Sequence, residues 1–178
     1  IGDPDFRRFS VGGGGKDAAV SAAAFAAISA NPRRGSRKIC RTPFKVLDAP
    51  ALTDDFYLNL VDWSAENVLA VGLGSCVYLW SACTSLVTKL CDLGHDGPVC
   101  SVAWSVSGKE LAVGTGSGLL QVWDAASCTL VRAMGGHSAR IGCLAWSSSL
   151  LSSGSRDAHI YNRDMRAPES FVGNLVGH

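Results

Sequence analysis

A chain of 178 residues, 47% of them hydrophobic, is large enough for one packed domain and too apolar for global disorder. Its net charge of +1 hides a division: residues 1–45 hold nine Lys/Arg against three Asp, and residues 46–178 hold seven Lys/Arg against twelve Asp/Glu. An acidic body argues against nucleic acid as a partner, and the longest uncharged N-terminal stretch, AAVSAAAFAAISA at 18–30, falls short of the ~20 residues that span a bilayer, so no membrane partner is expected either.

The first segment, residues 1–41, combines a GGGG run (12–15), the alanine-rich stretch and a basic cluster, PRRGSRKICR. It has little apolar periodicity and is expected to be a largely disordered tail. VGGGGKD (11–17) does not make a phosphate-binding loop. Ser10 stands where the first glycine is needed, Asp17 where a magnesium-holding Ser/Thr is needed, and no apolar strand leads in. No cofactor is expected.

Residues 42–60, TPFKVLDAPALTDDFYLNL, form a leader with no counterpart elsewhere in the chain. Thr-Pro-x-Lys at 42–45 is the pattern favoured by cyclin-dependent kinases, which makes Thr42 a candidate phosphorylation site; the alternative is a simple turn at Pro43. Phosphate there would add a charge of about −1.5 to −2 beside Arg37, Lys38 and Arg41. Asp48, Asp54 and Asp55 are unusual in so apolar a leader.

From residue 61 to 178 the chain repeats. VDWS (61–64), VAWS (102–105) and LAWS (144–147) each precede a short apolar run: NVLAVGLG (67–74), ELAVGTG (110–116) and LLSSGSR (150–156). Alternating segments follow: CVYLW (76–80), LLQVWD (119–124) and AHIYNRD (158–164). Gly-His pairs stand at 94–95, 136–137 and 177–178. Short runs of β-branched and aromatic residues bounded by Gly, Ser and Asp predict antiparallel strands. A period near 40–45 residues with Gly-His and Trp-Asp landmarks predicts an all-β, WD-repeat β-propeller with four-stranded blades. A closed ring takes four to eight blades, so three are expected to belong to a fragment or a truncated product.

In such blades the histidine of Gly-His ties strands together through an aspartate in a later hairpin. His137 and Asp157 are the predicted pair in the third repeat, whereas the second repeat has Ser117 at the aspartate's position. Trp63, Trp104 and Trp146 read as core packing. The seven cysteines include no C-x-x-C pair and no zinc-ligand spacing, so reduced structural thiols and no metal are expected. With no nucleophile–base pair in view, no catalytic residue is assigned and an enzyme is not expected.

The run KVLDAPALTDDFYLNLVDWSAENVLAVGLGSCVYLWSACTSLVTKLCDL (45–93), with AVGTGSGLLQVWDAA (112–126) and GHSARIGCLAWSSSLLSSGSRD (136–157), resembles the Fizzy/Fizzy-related family, and KVLDAP with SACTSLVTKLCDL favours its Fizzy-related branch. The resemblance implies a seven-bladed propeller that activates the anaphase-promoting complex by recruiting substrates to it. It implies as partners that complex's subunits, substrates bearing destruction-box (Arg-x-x-Leu) and KEN-box degrons such as mitotic cyclins, and a cyclin-dependent kinase as regulator, in nucleus and cytoplasm. Carried over by motif, Asp48 would pair with the destruction-box arginine, Leu47, Trp80 and Val87 would line its leucine pocket, and Asp55 would meet the KEN lysine. The alternatives are core packing for Trp80, a helix cap or turn ahead of Pro50 for Asp48, and a solvated loop charge for Asp55. The family's N-terminal C-box and C-terminal Ile-Arg tail do not occur in the sequence. A generic WD-repeat interaction scaffold is the alternative.

Overall fold

In a computed structural model the described residues are 39–43, 45–169 and 171–177. The expected disorder of the tail, its GGGG run and its alanine-rich stretch lie outside them. The chain divides into two units, Ile1–Val46 and Leu47–His178, and the strands all belong to the second.

Alternation and turn chemistry act together in each repeat. The first gives β1 (Val61–Trp63), β2 (Val68–Leu73), β3 (Cys76–Ser81) and β4 (Val87–Asp92). The second gives β5 (Val99–Trp104), β6 (Glu110–Thr115), β7 (Leu120–Asp124) and β8 (Thr129–Met134). The third gives β9 (Ile141–Ser147), β10 (Leu150–Ser155), β11 (His159–Asp164) and β12 (Gly173–Val176). Each set is a four-stranded antiparallel meander, as the repeat predicts, and the sheets stack with their first strands side by side. Gly118 shows how tightly the turns pack: its φ is 89°, and a Cβ there would meet the His137 carbonyl oxygen at 2.5 Å.

Strand register sorts the side chains into two kinds of face. In the first sheet Trp63, Leu69, Trp80 and Val87 stand in one row across β1–β4, and Ala70 and Leu79 lie on the opposite face. The second and third sheets repeat this with Trp104–Leu111–Trp123 and Trp146–Leu151–Arg163 on one face, and Ala103–Ala112–Val122 and Ala145–Ser152–Asn162 on the other. Each junction packs the tryptophan face of the later sheet on the small-residue face of the earlier one. Ala70 and Leu79 form one core with Trp104 and Leu111, and Ala112 and Val122 form a second with Leu151 and Trp146. The middle sheet is therefore covered on both faces, so that all six residues of β5 are buried, while β9 alternates between inward and exposed positions.

Polar bonds fix the junctions. The Trp104 indole Nε1 donates to the Asp62 carbonyl oxygen at 3.2 Å, and Trp146 Nε1 donates to the Ala103 carbonyl oxygen at 3.1 Å. The Asp62 carboxylate adds a bond of its own, accepting the Trp104 backbone N–H at 2.7 Å. On the outer side, the Arg132 guanidinium of β8 donates to the carbonyl oxygens of Ala167 (2.6 Å), Pro168 (3.0 Å) and Glu169 (2.9 Å), which clasps the β11–β12 hairpin.

Candidate functional site

The segment from Leu47 to Leu60 leads onto β1. A turn at Ala49–Leu52, closed by a 3.3 Å bond from Leu52 N–H to the Ala49 carbonyl, follows directly on Asp48. Leu47 and Asp48 are exposed, and the Asp48 carboxylate makes no hydrogen bond or ion pair among the described residues. Thr42 is exposed as well.

Trp80 and Val87 come together. They are directly paired between β3 and β4, on the face of the first sheet turned away from the second. Their exposure differs sharply: Trp80 is 7% exposed, held edge-on against Trp63 at 6.1 Å between ring centroids, and Val87 is 65% exposed. Trp80 thus forms a packed floor and Val87 a rim. Trp63, read from sequence as core packing, is 49% exposed on this same face.

Asp55 lies elsewhere. Its carboxylate accepts the Tyr57 N–H at 2.9 Å in a local Asx turn, and Asn59 then bridges to β5, donating to the Cys100 carbonyl at 2.9 Å. Asp55 lines a cavity of about 590 Å³ with Leu58, Pro98, Cys100, Arg140 and Arg156. The Arg140 guanidinium also sits over the Tyr57 ring, 4.9 Å from its centroid. The candidate lysine contact therefore has two arginines around it, which sequence reasoning missed. A signal was available. Arg140 follows the Gly-His loop and Arg156 occupies the β10–β11 turn, and in a meander those two connections lie at the same end of the sheet.

His137 and Asp157 form a buried tie. His137 Nδ1 stands 2.9 Å from Asp157 Oδ2, and Nε2 stands 2.9 Å from Ser153 Oγ, which fits a neutral ring donating to the carboxylate and accepting from the hydroxyl. Burial opposes the charged form of Asp157, yet the Ser138 N–H, His137 and the His159 N–H together hold its carboxyl down to about 2. Burial pushes the His137 pKa below its ordinary value despite the neighbouring carboxylate, and the Arg163 guanidinium adds to the shift. Arg163 occupies the place of the strand tryptophan, is 0% exposed, and reaches Ser153 Oγ at 3.4 Å. In the second repeat the expected histidine does not take part: His95 is exposed on a short 3-10 turn. Asp96 replaces it, accepting from Gln121 Nε2 at 3.0 Å, while Gln121 Oε1 accepts the Trp123 indole N–H at 3.0 Å. Ser117, in the aspartate's position, bonds Thr115 at 2.9 Å instead. His178, of the last Gly-His pair, lies outside the described residues.

The cysteines are free thiols among the described residues, and burial drives Cys91 up to about 12, which makes it inert. No group of His, Cys, Asp and Glu among the described residues has the arrangement of a metal site.

The family model described as the anaphase-promoting complex subunit 4 WD40 domain matches residues 77–149. The B-type cell cycle switch protein ccs52A of Medicago truncatula is 65% identical over 85% of this chain and 32% of its own length. Protein FIZZY-RELATED 1 of Arabidopsis thaliana is 64% identical over the same shares, 85% and 32%. Anaphase-promoting complex subunit cdh1 of Dictyostelium discoideum is 46% identical over 85% of this chain and 20% of its own length. Among solved structures, a chain of the mitotic checkpoint complex aligns with a TM-score of 0.76 at 46% identity, covering 81% of this chain and 44% of that one. The chain thus spans about a third or less of the curated relatives it matches.

Proposed function

Since this chain belongs to the Fizzy-related family of WD-repeat proteins, we propose that it contributes to substrate recruitment by the anaphase-promoting complex and performs no catalysis itself. Destruction-box and KEN-box degrons are the ligands of this reading, in nucleus and cytoplasm. The observation that carries it is an identity of 64–65% over 151 residues, 85% of this chain, with cell-cycle switch and Fizzy-related proteins. The Trp80–Val87 pair, with its packed floor and open rim, supports a pocket for the degron leucine, and the exposed Leu47 would add apolar contact to it. The unengaged Asp48 carboxylate supports a contact with the degron arginine. At the other site Asp55 would take the KEN lysine, and Arg140 and Arg156 around the same cavity suit its glutamate.

The test is titration calorimetry of the chain with a destruction-box peptide. Wild-type protein binds weakly, and Asp48→Ala and Val87→Asp each reduce the affinity severalfold while circular dichroism stays unchanged. Equal affinity for a peptide with its arginine and leucine replaced by alanine would leave the generic scaffold as the better account.

A further inference from the structure

The two junctions between sheets differ at one position on the fourth strand. In the second sheet Arg132 of β8 pairs across the ladder with Val122, the residue before Trp123, and so lies on the face that packs on the third sheet. Its guanidinium donates to the β11–β12 turn, at the carbonyl oxygens of Ala167 (2.6 Å), Pro168 (3.0 Å) and Glu169 (2.9 Å). The same position in the first sheet, opposite Leu79 and before Trp80, is Thr88 of β4. Threonine lacks the length to reach the β7–β8 turn, and a groove of about 570 Å³ remains there, lined by Leu79, Leu86 and Thr88 on one side and by Asp124 of the turn on the other. Both of its walls are sheets of this chain, and it lies on the face of the first sheet opposite Trp80 and Val87. Its chemistry suits the side chain that it lacks. Leu79, 6% exposed, forms a floor and Leu86, 66% exposed, a rim, which together give apolar cover to a long aliphatic stem. The carboxylates of Asp124 and Glu66 line it against a single cation, Lys109. Asp124 Oδ1 accepts the Ser127 N–H at 2.7 Å and the Ser127 hydroxyl at 2.8 Å, and these bonds hold its carboxyl below the usual range, so it is an anion at neutral pH. A guanidinium fits this setting better than an ammonium, because its planar fork can serve a carboxylate and neighbouring carbonyls together.

We propose that the groove between the first and second sheets is a docking site for an arginine side chain presented by a partner protein, which takes there the place that Arg132 fills from within at the next junction. The site is separate from the degron contacts described above and does not depend on them.

The test is a titration of the full chain with the capped tripeptide acetyl-Ala-Arg-Ala-amide at millimolar concentration, followed in amide proton–nitrogen NMR spectra. The amides of Leu86, Thr88, Ala126 and Cys128 shift saturably. The same peptide with citrulline, uncharged and of the same shape, or with lysine, shifts them severalfold less. Thr88→Arg supplies the guanidinium from within and lowers the affinity for the arginine peptide by about tenfold or more. It leaves destruction-box binding as in wild type, because Thr88 and Val87 stand on opposite faces of the sheet. Asp124→Asn keeps an acceptor for Ser127 and weakens arginine binding severalfold, which decides the matter should Thr88→Arg unfold in urea earlier than wild type. Absent shifts at these amides overturn the proposal, as do equal shifts with citrulline or an affinity that ignores both substitutions. A chain that fails the destruction-box titration yet shows these shifts keeps the groove and loses only the degron reading.

Discussion

Replacing Asp62 with alanine breaks the first junction at one atom. The Asp62 carboxylate spans two sheets: Oδ2 accepts the Trp104 N–H at 2.7 Å and Oδ1 accepts the Trp63 N–H at 2.9 Å. Trp104 is buried, so the substitution leaves its backbone donor without that acceptor inside a packed junction. Hydrogen bonds to charged groups contribute roughly 1.5–3 kcal/mol, and a stranded buried donor costs about 1–3 kcal/mol. A loss of about 2 kcal/mol is therefore expected for Asp62→Ala. Asp62→Asn keeps an acceptor oxygen and should lose about half as much. In urea, with a slope of roughly 2 kcal/mol per molar, the midpoint should fall by about 1 M for alanine at unchanged slope. An alanine variant within about 0.3 kcal/mol of wild type would refute the reasoning, because the 2.7 Å contact would then carry no net stability.

Two further outcomes follow from the tie and the leader. His137 is held neutral, with its folded pKa below the ordinary value. The unfolded chain therefore binds a proton that the folded chain refuses, and stability present above about pH 6.5 is lost as pH falls below it. Urea midpoints measured from pH 8 to 5 should decline in wild type and decline less in His137→Gln; identical profiles would contradict the assignment. Purified cyclin-dependent kinase should phosphorylate the exposed Thr42, and an unmodified Thr42 peptide in mass spectrometry after saturating treatment would rule the site out.

Tryptophan and Gly-His spacing made the strands and their grouping legible, because a blade needs its turns and its first-strand tryptophan at constant intervals. What escaped was polar chemistry that depends on a neighbouring repeat. Nothing in the VDWS motif marks Asp62 as a tie, because its partner lies 42 residues away. Nothing in AHIYNRD marks Arg163 as buried. Its burial is set by Tyr161, whose ring lies 5.3 Å from the guanidinium, and by a serine that also serves His137. In the second repeat the Gly-His landmark was present, but the positive φ of Gly94 (52°) and Gly97 (90°) turns the chain so that Asp96 faces Gln121. Local sequence names candidates for a tie, and the turn between them decides which candidate arrives.

Exposure also decides how the degron pocket would work. An exposed arginine–aspartate pair at Asp48 would add only ~0.2–1 kcal/mol, against roughly 1.5–3 kcal/mol for fully burying a leucine. Apolar contact must therefore dominate, and Trp80, at 7% exposed, has almost no surface left to give. Val87 at 65% and Leu47 at 41% exposed do. Removing Trp80 would act through the floor, by letting Trp63 and Val87 shift, so Trp80→Ala would lower stability along with binding. Val87→Asp would lower binding alone. A Val87→Asp chain that binds degron as wild type does would move the leucine contact off this face.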